Sequence, residues 1–480
     1  MEIKADGYPF SERTPIHSKN EDPMRKNLLD QLPLAPAPIA HVHAQELAGI
    51  SALLDELPDA ARLVHEDLSW RGGRRVQSGK GREGMAAEQV LRAGVLRQLA
   101  SLSYEHLAFA LSDSETYRRF CRIGFQQEPP KKSTLQKNIK RIKPATWEQI
   151  SQMVVRRANE LGVESGTKVR TDCMIVESNI HHPTDSSLLW DCVRVFGRLM
   201  KKAKKKFGLP FRSHRLRAKR RALEVVNAST DQERKQPYRD LVSVCERMVH
   251  QAEAMAAKLE HLPCENAMDA TLAGDLAGEL RHFVPLANLV ISQTERRIFR
   301  GESVPATEKI VSIFEPHTDI IVKDKRDTEY GHKVCLTTGA SAIVTDVVVE
   351  QGNPADYVLA TKMMERQKAA FGKAPKQASF DGGFATRSNL AQIKALGVTD
   401  VVFHKRRGLE IEQMASSRRV YKKLRAFRAG IEGTISFLKR VFGLERCVWR
   451  GFDSFQAYVH AGVLACNLLV VARHLLAAAG

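Results

Sequence analysis

Three acids stand out in this 480-residue chain by where they sit. Asp172 lies inside TDCMIV (171–176), a run that otherwise reads as a buried strand, and a carboxylate there has to be paired or to hold a metal. Asp381 ends QASFD (377–381) and is followed by Gly382 and Gly383, so little side-chain bulk crowds it. Glu432 is the single acid in YKKLRAFRAGIEGTISFLKR (421–440), a basic helical stretch with Gly430 and Gly433 beside that acid. At 3.6 residues per turn, Phe427, Ile431, Ile435, Leu438 and Phe442 make one apolar stripe; Arg428, Glu432, Ser436 and Lys439 fall on the adjacent one. An ordinary i, i+4 pair of Arg428 with Glu432 accounts for the acid at about 0.3–0.5 kcal/mol. It does not account for two interior glycines, each costing roughly 0.8–1.0 kcal/mol relative to alanine, unless something must approach the backbone closely. The alternative is that Asp172, Asp381 and Glu432 converge on divalent metal. A hard cation such as Mg²⁺ takes oxygen ligands and keeps positions open for phosphate and water, and two such ions support in-line phosphoryl transfer. Spacing alone leaves both accounts open.

Such a triad needs elements that bring distant segments together. KVRTDCMIVESNI (168–180) reads as a strand buried on both faces, as in α/β sheets. From residue 308 strands return in EKIVSIFEPHTDIIV and in GHKVCLTTGASAIVTDVVVEQG, a hairpin turning near Gly339-Ala340-Ser341. A helix, the strand KQASFD, a helix and the strand TDVVFH follow, so the alternation predicts a mixed or parallel sheet with covering helices. Ligands collect at the carboxyl ends of such strands.

Helices dominate elsewhere. Residues 85–143 predict a run of short helices, one ending at Gly124 as a C-cap. The last is capped by Ser133 or Thr134, with Leu135, Ile139 and Ile142 inward and Lys137, Lys140 and Arg141 exposed. A basic helix after a compact bundle has the shape of a helix-turn-helix reader of DNA, although a solvated basic face fits the same pattern. Between Arg198 and Arg221 there are twelve Lys or Arg and no acid. Lys201, Lys202, Lys204, Lys205 and Lys206 make this the densest phosphate-binding candidate. Leu241, Cys245, Met248, Ala252, Met255, Leu259 and Leu262 then form a heptad seam, with Leu272, Leu276 and Leu280 on a possible antiparallel partner. The predicted division is an N-terminal arm or small helical cap (1–80), a helix-turn-helix-like DNA-binding domain (81–150), an α/β core (165–197 and 305–445), a basic helical insertion (198–304) and a C-terminal helix (446–480).

Lys and Arg number 74 against 55 Asp and Glu, a formal charge of +19, which favours a polyanionic partner, nucleic acid before an anionic membrane surface. Eight cysteines without a C-x-x-C pair argue against a disulfide framework and a zinc knuckle and suit a reducing, cytoplasmic compartment. AGVLACNLLVVARHLLAAA (461–479) approaches the length of a membrane span, but Asn467, Arg473 and His474 interrupt it and predict a buried helix. Lys405, Arg406 and Arg407, after the last core strand, form a basic loop that reads as a contact for DNA phosphate.

Taken in order, TDCMIVESNIHHPTDSSLLWD (171–191), IFEPHTDII (313–321), YGHKV (330–334), SFDGGFA (379–385) and RAGIEGTISFLKR (428–440) resemble bacterial insertion-sequence transposases of the DDE type, with a ribonuclease H-like catalytic core. VLRAGVLRQLASLSYEHLAFALSDSETYRRFC (90–121) is similar to the N-terminal domain of that group. The resemblance covers about two thirds of the chain. It implies that Asp172 lies on the first core strand, Asp381 after the fourth and Glu432 on a helix after the fifth, with all three as catalytic metal ligands. Mg²⁺ is the implied ion, with Mn²⁺ as a substitute. Arg428, Glu432 and Lys439 satisfy the last three positions of the signature Y-(2)-R-(3)-E-(6)-K, whereas Arg425 holds the tyrosine position and Tyr421 lies one turn earlier. The implied role of Arg428 and Lys439 is to hold phosphates, with Gly430 and Gly433 leaving room for DNA and the aspartates. The implied partners are terminal inverted repeats and target DNA, bound by a homodimer in the bacterial cytoplasm and nucleoid, with no membrane. The insertion falls between the first and second core strands.

Overall fold

A computed structural model describes residues 41–71, 74–75, 84–124, 126–323 and 327–479. Residues 1–40 and most of WRGGRRVQSGKGREG (70–84), two parts of the expected arm, lie outside them. The described part of that region holds α1 (Val42–Asp55), α2 (Pro58–Ser69) and a minimal pairing of β1 (Trp70–Arg71) with β2 (Arg74–Arg75).

Five helices follow: α3 (Ala87–Leu99), α4 (Tyr104–Asp113), α5 (Glu115–Phe120), α6 (Lys132–Ile139) and α7 (Pro144–Glu160). Ser103 and Ser114 cap α4 and α5 by accepting from the amides of His106 and Tyr117. Two expected caps are displaced. The chain leaves α5 at Cys121 and turns left-handed at Arg122 (φ 56°), before Gly124; the Arg122 guanidinium is tied to both carboxylate oxygens of Asp55, which offsets the strain. Helix α6 starts as soon as Pro129 and Pro130 end, with Lys131 at the N-cap, so Ser133 and Thr134 lie inside its first turn.

The sheet begins with β3 (Lys168–Ser178). The chain then leaves it for α8 (Asp185–Phe207), α9 (Arg215–Asn227), α10 (Asp231–Glu260) and α11 (Ala267–Thr294). The helical excursion thus begins at Asp185, ahead of residue 198, because Leu188, Val193, Phe196 and Leu199 are buried against the other insertion helices. Leu241, Cys245, Met248, Ala252, Met255 and Leu259 are buried along α10, and Leu276 and Leu280 of α11 join the same core, while Leu272 is 38% exposed. The seam therefore packs within the insertion.

Strands return as β4 (Asp319–Lys323), β5 (Asp327–Thr338) and β6 (Val344–Val349). Next come α12 (Asp356–Phe371), β7 (Gln377–Phe380), α13 (Arg387–Ala395), β8 (Asp400–Phe403), α14 (Ile411–Met414), α15 (Arg418–Val441), β9 (Arg446–Cys447) and α16 (Phe452–Ala479). The main sheet runs β6-β5-β3-β7-β8: β5 is antiparallel to β3 and β6, and β7 and β8 are parallel to β3. This is the ribonuclease H-like order. β4 extends the outer edge of β5, and β9 pairs with the end of β3.

One apolar core joins α1–α7 to Met174, Val176, Val334 and Leu336 of the sheet and to α16. Helix α16 is long and apolar enough to cross a membrane by composition, but most of its apolar window is packed inside this core. Its one fully buried polar residue shows why it belongs there: Asn467 accepts from the Val344 amide at 2.9 Å and donates to the Val344 carbonyl at 2.8 Å.

Candidate active site

Helix α15 is capped by Ser417, which accepts from the Val420 amide, and buries Tyr421, Leu424, Ile431, Thr434 and Leu438. With half-buried Phe427 that seam runs every three to four residues, and it starts nearly two turns earlier than the predicted stripe; Ile435 is only half-buried. Two side chains from the sheet reach the helix backbone. Ser379 Oγ of β7 donates to the Leu424 carbonyl at 3.0 Å, and Arg170 Nη1 of β3 donates to the Phe427 carbonyl at 2.9 Å. Arg170 pairs with Ser379 and Thr171 with Phe380 in the parallel register, so Asp172, midway along β3, comes beside Asp381, just past the carboxyl end of β7.

Arg428 joins all three predicted acids. Its Nη2 lies 2.7 Å from Asp172 Oδ2 and 3.3 Å from Asp381 Oδ1, and its Nη1 lies 2.9 Å from Glu432 Oε1. The arginine and Asp172 side chains are 13% and 15% exposed, whereas Glu432 is 65% exposed, so the site opens towards Glu432. Burial raises the Asp172 carboxyl pKa above the ordinary value, opposed by Arg428 and by the Cys173 amide donating to Oδ1 at 2.8 Å.

Three carboxylates around one guanidinium carry an excess of two negative charges. Hard oxygen donors with that excess suit a divalent cation, and the guanidinium already occupies cationic ground among them. The donor set fits. Among the described residues no three acid, histidine or cysteine groups stand close enough to share an ion directly; the arginine gathers the acids. Arg428 was expected on phosphate and instead faces carboxylates, with its buried Nε unpartnered.

The other predicted contacts disperse. Lys439 is 20% exposed and lies 3.4 Å from Glu445. Tyr421 is buried in the core and Arg425 is exposed, so neither offers an exposed ring at that position. Lys405, Arg406 and Arg407 are exposed, and the Lys405 stem lies over Gly382, the residue after Asp381. Lys137 is exposed, but Lys140 and Arg141 are not. Lys140 is half-buried, its pKa lowered by burial and by Arg450, and Arg141 donates to the Leu68 carbonyl. Lys201, Lys202, Lys204 and Lys205 are exposed on α8, while Lys206 pairs with Asp269 at 2.7 Å. The basic run is thus partly neutralised, since Arg217 and Arg221 also bind Asp240.

Gly430 and Gly433 have a different reason from the one expected. A Cβ on Gly430 would fall 2.0 Å from Arg170 Nη1, so its space belongs to a protein guanidinium; Gly433 has open space and lines a groove with Ser341, Phe437, Val470 and His474. Sequence reasoning also missed Ser379 and the buried string Glu315–His317–His332–Asp319, linked at 2.8, 2.7 and 2.9 Å. The signal for that string was present in EPHTD and YGHKV, two of the segments carrying the resemblance.

Residues 314–468 match the family described as "Transposase DDE domain", and residues 44–141 match "Transposase domain (DUF772)". The chain belongs to the DDE transposases. No curated protein and no solved structure matches it. The transposase is a DNA-binding enzyme of phosphoryl transfer, in a family that uses divalent metal ions. The first match spans β4 to most of α16 and so includes Asp381, Arg428 and Glu432, while Asp172 precedes it. The transposase draws that acid from β3, across the whole helical insertion.

Proposed function

We propose that Asp172, Asp381 and Glu432 are the catalytic metal ligands of the transposase, and that Mg²⁺ is the ion, with Mn²⁺ able to replace it. The observation that carries this is the single guanidinium ion-paired with all three acids. When bound, the ions supply an activated water or 3′-hydroxyl and stabilise charge on the phosphate. The chain's own groups do the rest. Arg428 holds the acids against their mutual repulsion, and its guanidinium would also be available to a phosphate at this site. Lys405, Arg406 and Arg407 would grip the strand that enters over Asp381, and Lys201, Lys202, Lys204 and Lys205 the flanking duplex.

The DNA substrates we propose are terminal inverted repeats and target DNA, brought together by a homodimer in the bacterial cytoplasm. Helices α3–α6 would read the ends, with Lys137 as the exposed contact. Arg428, Glu432 and Lys439 support placement in the Y-R-E-K signature group, with Arg425 replacing the ring.

Incubating the purified chain with supercoiled DNA bearing the element's ends and Mg²⁺ tests this. Cleavage followed by strand joining is expected; cleavage without joining would make it a nuclease or resolvase, and DNA binding without either a regulatory protein. Unchanged metal-dependent cleavage in Asp381→Asn would overturn the site assignment.

A further inference from the structure

Arg170 is a charged residue buried in the sheet, only 7% exposed, yet what it binds is not a carboxylate. Its Nε donates to Thr338 Oγ1 at 2.9 Å, its Nη1 donates to the Phe427 carbonyl at 2.9 Å, and its guanidinium stacks 4.6 Å from the Phe427 ring centroid. Burying a guanidinium on a hydroxyl and a helix carbonyl is costly. Gly430, one turn beyond Phe427, lacks the Cβ that would strike this guanidinium at 2.0 Å. The glycine is itself a poor helix former. Two unfavourable choices meet at one contact, and the contact lies beside the acids: Arg170 and Asp172 are alternate residues of β3, and Phe427 and Arg428 are consecutive residues of α15.

We propose that Arg170, seated in the Gly430 notch, is a positioning residue that sets the register of α15 on β3. Arg170 holds the Phe427 carbonyl while Asp172 receives Arg428, so helix and strand are keyed at two adjacent points. Ser379 holds the Leu424 carbonyl one turn earlier, which fixes the helix direction across β7. Glu432, one turn past Arg428, is then joined to both aspartates through the Arg428 guanidinium only at this register. A shift of about 1 Å in such an arrangement costs on the order of 10²-fold in rate. This rests on the assignment of Asp172 and Glu432 as catalytic.

The test compares Gly430→Ala, Arg170→Ala and the double variant with Asp172→Asn in single-turnover cleavage, with Mn²⁺ binding to the DNA-free protein measured in parallel. Alanine is the better helix former, which offsets part of the cost of the overlap with Arg170, so Gly430→Ala is expected to fold with a melting temperature lowered by only a few degrees. Its maximal rate is expected to fall by about 10–100-fold, with the DNA concentration for half-maximal rate within about twofold and weaker Mn²⁺ binding. Arg170→Ala is expected to lose rate similarly. The double variant is expected to be no slower than Arg170→Ala, because removing the guanidinium removes the overlap. Wild-type rate in Gly430→Ala, or losses that simply multiply in the double variant, would overturn the positioning role. If Asp172→Asn cleaved normally, the active-site assignment would fall instead.

Discussion

The guanidinium of Arg428 donates to Asp172 Oδ2 at 2.7 Å, joining residues 256 positions apart in the chain. Of the three acids around Arg428, Asp172 is the most removed from water, and Arg428 opposes the burial that raises its pKa. On the proposed assignment, the guanidinium and a metal would compete for the same oxygens.

Arg428→Ala should bind Mn²⁺ more tightly without DNA, by about tenfold, or about 1.4 kcal/mol. It should nonetheless cleave more slowly, since the acids lose their organiser. Isothermal titration and single-turnover cleavage measure the two effects separately.

The same pair predicts a pH effect. Protonated Asp172 cannot serve as a ligand, and burial raises its pKa in the metal-free site, so the acid limb of Mn²⁺ binding should lie above the ordinary aspartate range. Removing Arg428 leaves only the Cys173 amide to oppose burial and should move that limb to still higher pH. A limb that stays in place would count against Asp172 as the titrating group.

Exposed lysines on α8 should act through salt. Replacing Lys201, Lys202, Lys204 and Lys205 by glutamine should reduce the slope of log affinity against log salt by up to about 3–4, at about 0.9 per phosphate contact. Binding titrations at several salt concentrations read this directly, and an unchanged slope would return the run to solvated surface.

Asn467→Ala should destabilise the chain by about 2–4 kcal/mol, because the fully buried amide and carbonyl of Val344 both lose their side-chain partner. Chemical denaturation measures it. DNA affinity of the folded fraction should be unchanged, as Asn467 lies in the core.

Within the insertion, the hydrogen bond from Arg217 leads in holding the Asp240 carboxyl down to about 2, with Arg221 adding to it. Its ordinary value is 3.8, so the stabilisation is whole above that value and is lost as pH falls towards 2. Asp240→Asn should cost about 1 kcal/mol at pH 7, a modest figure because Arg217 is half open to solvent. The difference from wild type should close by pH 2 in denaturation curves.

The chemistry was legible in the sequence because it is local in character. An acid inside an apolar strand, an acid before two glycines and a lone acid on a basic helix each violate a pattern that short-range physics imposes. Strand periodicity likewise revealed the α/β alternation from 308 onward, and heptad spacing the seam of α10. What the tertiary structure alone decided is which group answers which. Arg428 and Glu432 looked like a pair at i, i+4, and only the docking of α15 on β3 and β7 turned that pair into a bridge among three acids. Gly430 marked a close approach, but the approaching group, Arg170, lies 260 positions away and could not be read from spacing. Lys140 and Arg141 looked exposed on an isolated helix and are covered by neighbours from other segments. Periodicity tells a residue which way to face along its own element; what it then meets depends on elements folded against it from far along the chain, and local pattern carries no record of them.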